Sequence, residues 1–270
     1  MYWRIVRING DGSLRLIYIG TGAEATGINT YAGLSYFNIN YDDQKYAGYT
    51  YDNSSPNTGD GTSSDIKNYL EIWYAKNMSE EDANIVTAQF FSDTTKYEEN
   101  EPISTWWFDN PGRSYPVWTA ALRLARGPLA ILEDENTNEE EKAKAKPTLK
   151  TSITDKTYGG TYYLKTGLIS ADELVLSGTD GAWGASGTRG YGSADAYPYT
   201  TNTNQWYWSI SPALYDSGIA VVFGASAYGS VNNNDVDYGS AAVPVINLSA
   251  ETAQSLIGTG STTDYYRLPE

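Results

Sequence analysis

Hydrophobic and polar residues alternate at the start of the chain. Residues 2–20 contain two alternating runs, which flank the tetrapeptide Asn9-Gly10-Asp11-Gly12. Because Asn, Asp and Gly tolerate positive φ, this tetrapeptide is typical of a hairpin turn. The pattern therefore predicts that the first twenty residues form a β-hairpin and not a signal peptide.

Helical spacing of apolar residues follows further along the chain. Residues 63–77 predict a helix, because Ser63 or Ser64 can cap its first turn. The apolar residues that share one face of this helix are Ile66, Tyr69, Leu70 and Trp73. A second helix is predicted to begin at Ser79, since acidic residues 80–82 would occupy a first turn in which the helix dipole favours anions.

Short strands and long loops are predicted for much of the remaining chain. The predicted strands are residues 45–51, 207–211, 218–224 and 242–249. In the strand over residues 218–224, alternation predicts that Ile219, Val221 and Phe223 share the face directed to the core. The other face is predicted to consist of Ala220, Val222 and Gly224. The prediction is a single α+β domain over residues 1–270, with loop insertions at about 21–62, 133–148 and 179–204.

Two residue types that carry much of enzyme chemistry, cysteine and histidine, do not occur in the 270 residues. Their absence excludes a Ser-His-Asp triad, a cysteine nucleophile and a zinc site built from Cys and His. The net charge of −15, from 18 Lys+Arg and 33 Asp+Glu, disfavours nucleic acid and anionic membrane surfaces as partners. No apolar run approaches transmembrane length, so membrane insertion is not expected.

Six segments, in their order along the chain, resemble a family of bacterial and phage surface domains with the C-type lectin fold. The segments are YWRIVRINGDGSLRLIY (2–18), KYAGYTY (45–51), SSDIKNYLEIWYAKN (63–77), GLISADELVLSG (167–178), WYWSISP (206–212) and AVPVINLS (242–249). In that family an Arg commonly precedes the Pro of the last strand, whereas Val243 precedes Pro244 here.

The resemblance implies a C-type lectin fold, with a small twisted antiparallel sheet, two helices and an irregular loop face near the C-terminal end. The same fold occurs in the variable proteins of diversity-generating retroelements, of the major tropism determinant type. It also occurs in formylglycine-generating enzymes, which use active-site cysteines that this chain lacks. The implied function is non-enzymatic binding of a cell-surface protein or glycan, without a cofactor. The implied location is extracellular, on a cell surface or on a virion.

The segment of residues 202–240 has the composition of a binding loop. Tyr, Ser, Asn and Asp make up 18 of its 39 residues, against 67 of the other 231. Tyr offers a large contact area at low entropy cost, and Ser and Asn supply adaptable hydrogen bonds. Such a composition also results when adenine-rich codons are randomised, as in proteins diversified by a retroelement. The candidate ligand-binding residues are Trp206, Trp208, Ser209, Ser211, Tyr215, Asp216, Ser226, Tyr228, Asn232, Asn233, Asn234, Asp235, Asp237 and Tyr238.

A calcium-dependent glycan lectin is the first alternative function. Residues 232–237 offer several oxygen ligands, but an Asx-rich turn explains the same residues. Residues 101–103 begin like the Glu-Pro-Asn sugar motif of such lectins and differ at the third position. Trp106 and Trp107 are candidates either for the rim of a sugar site or for the core.

A carboxylate-based glycosidase and a structural module of a particle or surface layer are further alternatives. Asp172 and Glu173 are candidate carboxylates, but Ser170 before them indicates a helix cap and its first turn. The Gly-rich residues 177–192 lack the Gly-Lys-Ser/Thr of a phosphate-binding loop and indicate an insertion.

Overall fold

The computed structural model describes the chain over residues 1–53, 55–57, 61–92, 94, 135–140, 142–143, 160–176, 204–225, 231–261 and 263–269. Several segments named above lie outside the described residues, namely 101–103, Trp106 and Trp107, 177–192, and the insertion at 179–204 except for Asn204. The described part of the charged insertion at 133–148 includes helical residues at 139–140 and 142–143.

The described residues form fourteen strands and three α-helices. The strands are β1 (Tyr2–Ile8), β2 (Leu14–Gly20), β3 (Gly33–Ser35), β4 (Thr50–Asp52), β5 (Ser55–Asn57), β6 (Thr62–Ser63), β7 (Ala88–Ser92), β8 (Gly160–Leu164), β9 (Thr166–Gly167), β10 (Tyr207–Asp216), β11 (Ile219–Ala225), β12 (Val231–Asp235), β13 (Ser240–Ala242) and β14 (Val245–Leu248). The helices are α1 (Asp65–Asn77), α2 (Ala171–Leu176) and α3 (Ala250–Ser255). The predicted α+β class is confirmed.

The strands form four sheets within the described part of the chain. The two larger sheets have the orders β1-β2-β14-β9 and β12-β11-β10-β13-β3. Two smaller sheets have the orders β5-β4-β6 and β7-β8. All pairs are antiparallel except β10 with β13. The predicted strand over residues 242–249 is divided between the two larger sheets, because Val243 and Pro244 connect β13 to β14.

The predicted hairpin at the start of the chain is confirmed as β1 and β2. Its turn is closed by a hydrogen bond from the amide of Gly12 to the carbonyl of Asn9, at 2.9 Å. Gly12 has a φ of +85°, a conformation that a residue with a Cβ adopts only with strain. The Asn-Gly-Asp-Gly sequence therefore determines where the two strands turn.

The predicted first helix is confirmed as α1. The hydroxyl of Ser64 accepts a hydrogen bond from the amide of Lys67 at 3.3 Å, which makes Ser64 the N-cap. Ile66 and Leu70 are completely buried, while Trp73 meets the ring of Trp3 edge to face. The helix thus places its apolar face on the sheet that contains the N-terminal hairpin.

The predicted second helix is wrong. The chain from Ser79 makes a turn and a short 3-10 helix at Asp82–Asn84, and then continues as strand β7. In β7, Phe90 and Ser92 are buried, while Phe91 between them is only partly buried, and this alternation is the period of a strand. The spacing of Ala83, Val86 and Phe90 fits a helix equally well, but pairing of β7 with β8 decides the conformation.

The predicted facing of β11 is also wrong. Residues Ala220 to Ala225 are all buried, so both faces of this strand lie in the core. Both edges of β11 are paired, with β12 and with β10, and the burial of consecutive residues means that both of its faces are covered as well. The predicted strand at 45–51 is shorter than expected, because Gln44–Ala47 forms a 3-10 helix and the strand begins only at Thr50.

Candidate functional site

Three of the residues predicted to bind a ligand lie in the core instead. Trp208, Ser209 and Ser211 are at most 1% exposed. The ring of Trp208 packs edge to face on Phe37, and its indole N–H donates a hydrogen bond to the carbonyl of Ser35 at 2.9 Å. The prediction that these three side chains form a binding face is therefore wrong.

Ser209 and Ser211 stabilise an irregularity in strand β10. The register of β10 against β11 shifts between Trp208 and Pro212, so the strand bulges at these serines. The hydroxyl of Ser209 donates to the carbonyl of Phe223 at 2.8 Å. The hydroxyl of Ser211 accepts from the amide of Ala171 at 3.0 Å. The Ser209 hydroxyl therefore satisfies a carbonyl of β11 at the irregularity, and the Ser211 hydroxyl satisfies an amide at the start of α2.

Trp206 and Tyr215 lie at opposite ends of β10 and are partly exposed. The carbonyl of Trp206 accepts a hydrogen bond from the amide of Ala241 at 2.7 Å. The hydroxyl of Tyr215 donates to the carbonyl of Asp42 at 2.8 Å. Trp206 therefore adjoins β13, and Tyr215 adjoins the segment that follows β3.

The three consecutive asparagines form a strand and not an Asx-rich turn. Asn232, Asn233 and Asn234 lie in β12, at the edge of the five-stranded sheet as far as the structure describes it. Asn233 pairs with Phe223, so its side chain is on the opposite face from those of Asn232 and Asn234. All three are partly buried.

The segment after β12 carries the most exposed of the predicted residues. Tyr238 is 55% exposed, and its amide donates to the carbonyl of Asp235 at 3.0 Å. Partial burial raises the pKa of the Asp235 carboxyl, and the nearby Asp237 carboxylate raises it further. The side chain of Asp216 and the whole of Ser226 and Tyr228 lie outside the described residues.

Exposed apolar and aromatic side chains also occur in a segment made of β3 and the chain that follows it, and this segment is hydrogen-bonded to the one that carries Tyr238. The segment lies within the region predicted to be a loop insertion at 21–62. We call the following set the tyrosine surface: Leu34, Tyr36, Ile39, Tyr41 and Tyr238, each 43% to 58% exposed. Large apolar side chains that are exposed together mark interaction sites more often than isolated ones do.

Backbone hydrogen bonds bring the two segments of the tyrosine surface together. Ser35 of β3 pairs with Ser240 of β13. The amide of Phe37 donates to the carbonyl of Val236 at 2.9 Å. Between these two points the segments run side by side, with Tyr36 on one of them and Tyr238 on the other.

The far end of the first segment is attached to the core in the same way. The amide of Ala220 in β11 donates to the carbonyl of Tyr41 at 2.8 Å. The amide of Ile39 donates to the carboxylate of Asp65, at the start of α1, at 2.7 Å. Residues 33–41 therefore hold their conformation without a ligand, which lowers the entropy cost of binding one.

The tyrosine surface lies in an acidic part of the sequence. Residues 33–43 and 231–240 contain Asp42, Asp43, Asp235 and Asp237, and they contain no Lys or Arg. Lys45 lies 3.7 Å from the Asp43 carboxylate and partly neutralises that end. The surface as a whole combines aromatic rings, aliphatic groups and carboxylates.

The candidate carboxylate Glu173 has a structural role. Its amide donates to the hydroxyl of Ser170 at 3.1 Å and its carboxylate accepts from the amide of Ser170 at 2.9 Å, so the two residues form a capping box. The same carboxylate lies 2.6 Å from Arg15 and 3.1 Å from Arg7. The predicted helix cap at Ser170 is confirmed.

Within the described residues, no group of three or more acidic side chains is placed to hold a metal ion. Asn232 to Asp235 extend along a strand, whereas a calcium loop wraps its oxygen ligands around one point.

No α-helix in the described part of the chain is long and apolar enough to cross a membrane.

Comparison of the chain with protein-family models, with curated proteins and with solved structures yields no match. The function must therefore be inferred from the arrangement of the residues themselves. The tyrosine surface is the largest set of exposed apolar and aromatic side chains that the described hydrogen bonds bring together near the predicted site.

Proposed function

We propose that the protein is a non-enzymatic recognition protein of the C-type lectin fold, which binds a ligand on another cell through the tyrosine surface. The observation that carries the proposal is the exposure of Tyr36, Tyr41 and Tyr238 on segments held by backbone hydrogen bonds. Rigid aromatic anchors with adaptable polar neighbours are the usual composition of a binding surface. Tyr215 and Trp206 are hydrogen-bonded to residues next to its two segments, and Asp235 and Asp237 lie in the segment that carries Tyr238.

The proposed location is a cell surface or a virion, where such a protein would act as an adhesin or receptor-binding protein. Diversification by a retroelement, if it occurs, would be limited by the structure. Trp208, Ser209 and Ser211 fill the core and hold the bulge of β10, so random replacement there would unfold the domain. The exposed positions Asp235 and Tyr238 are expected to tolerate replacement, while the part of the surface at 34–41 lies outside the enriched segment.

The proposal predicts that binding and stability can be separated. The double variant Tyr36→Ala/Tyr238→Ala removes two exposed rings and leaves the core intact. We expect its affinity for a ligand to fall at least about tenfold, because central aromatic residues carry much of the binding energy. Its thermal unfolding midpoint is expected to stay close to that of the wild type.

The measurement is binding of the full chain to an array of glycans and to an array of displayed extracellular protein domains. Tyr163→Ala is the matched control, because Tyr163 is 71% exposed but lies in β8, in a different sheet. A ligand that the control variant retains and the double variant loses supports the proposal. A ligand held equally by all three proteins, or no ligand on either array, contradicts it.

A further inference from the structure

The two segments that form the tyrosine surface carry negative charges and no positive ones. Asp42, Asp235 and Asp237 lie on or beside it, while its two segments supply no cationic side chain. The repulsion between Asp235 and Asp237 contributes to the raised pKa of the Asp235 carboxyl. A cation placed between these carboxylates would relieve that repulsion and favour their ionised form.

The aromatic rings favour the same kind of partner. Tyr36, Tyr41 and Tyr238 present ring surface to solvent, and the face of a tyrosine ring attracts a guanidinium or ammonium group. Leu34 and Ile39 add exposed aliphatic groups, which suit the side chains of a protein better than the hydroxyl groups of a sugar.

We infer that the tyrosine surface binds a protein segment that presents lysine or arginine side chains together with apolar ones. This inference rests on the proposed function and specifies the partner of the same site. The cations of the segment lie against the Asp235 and Asp237 carboxylates and the tyrosine rings, and its apolar side chains cover Leu34 and Ile39. The overall charge of −15 attracts such a segment from a distance.

The experiment selects ligands without assuming their charge. A displayed library of random dodecapeptides is depleted on the immobilised Tyr36→Ala/Tyr238→Ala variant and then selected on the wild-type chain. We expect the fraction of Lys and Arg in the recovered peptides to rise at least about twofold over the unselected library, because complementary charge favours capture.

Charge variants test the same inference on individual peptides. Asp235→Asn/Asp237→Asn removes two carboxylates and is expected to weaken a selected peptide about three- to tenfold. Wild-type affinity is expected to fall between about 0.05 and about 0.5 M salt more steeply than that of the variant. The control Glu80→Gln/Glu251→Gln removes the same charge from exposed positions elsewhere and is expected to weaken binding much less.

The outcomes separate the inference from the proposed function. Peptides that require Tyr36 and Tyr238 but show no enrichment in Lys and Arg overturn the inference alone. Equal loss of affinity in the two charge variants also overturns it, because the effect would then come from net charge. Peptides that bind the tyrosine variant as well as the wild type, or no wild-type-specific peptide, overturn both. A neutral glycan as the only array ligand contradicts the protein partner alone.

Discussion

At the scale of a residue, two tyrosines in contact show the difference between a buried hydroxyl that forms hydrogen bonds and one that does not. The rings of Tyr49 and Tyr162 meet edge to face at 5.4 Å. The hydroxyl of Tyr162 donates to the carbonyl of Asn57 and accepts from the amide of Thr50, whereas the buried hydroxyl of Tyr49 has no hydrogen-bond partner among the described residues. Burial raises the pKa of both hydroxyls, that of Tyr162 to about 12.

Replacement of these two hydroxyls is expected to have opposite effects. Tyr49→Phe removes a buried group that gains nothing from the fold, and it should raise the free energy of unfolding by about 1 kcal/mol. Tyr162→Phe removes the hydroxyl that accepts from the Thr50 amide, and it removes one of the donors to the Asn57 carbonyl, which keeps the Thr50 hydroxyl. It should lower the free energy of unfolding by about 1–3 kcal/mol. Denaturant unfolding of both variants measures the difference. Destabilisation by Tyr49→Phe would show that its hydroxyl has a partner in the folded protein.

The composition of a segment does not show which of its side chains are buried in the folded protein. Trp208, Ser209 and Ser211 belong to a segment with the composition of a binding loop, and composition alone favours exposure. Their burial follows from the bulge in β10 and from residues distant in sequence, since Phe37 packs on Trp208 and the amide of Ala171 bonds to Ser211. Conversely, Tyr36 and Tyr41 lie in a segment without clear periodicity, and only its hydrogen bonds with distant residues show how the segment is placed.

At the scale of an element, local sequence patterns predict the structure correctly where the element carries its own turn or cap. The hairpin of β1 and β2 has its own turn sequence, and α1 has its own cap at Ser64. The region after Ser79 lacks such a decisive signal, because its apolar residues fit a helix and a strand alike. There the pairing of β7 with β8, across many residues, decides the conformation.

The short helix α2 depends on one carboxylate that also joins it to the sheet. Glu173→Ala removes the capping box with Ser170 and leaves the 1% exposed Arg15 without its nearest anion. We expect a loss of about 3–5 kcal/mol in the free energy of unfolding, because the guanidinium remains buried. Chemical denaturation measures this loss, and Glu80→Ala, at an exposed position, should leave the free energy nearly unchanged. A similar, small effect of both variants would contradict a structural role for Glu173.

At the scale of the whole molecule, the α+β class follows from the mixture of strand and helix signals. The arrangement of the sheets does not follow from it, because β13 and β14 are nearly continuous in sequence and yet belong to different sheets. The tyrosine surface is a product of that arrangement, since its two segments are separated by about two hundred residues. Local patterns along the chain carry no information about such a pairing.

The most direct test of the account is radical footprinting of tyrosine side chains on the full chain, with and without a ligand obtained from the arrays or the peptide selection. The account predicts that the ligand reduces oxidation of Tyr36, Tyr41 and Tyr238, while Tyr163 on β8 is oxidised as before. Unchanged oxidation of those three tyrosines at saturating ligand, with protection elsewhere, would place the binding site on another surface and contradict the central claim.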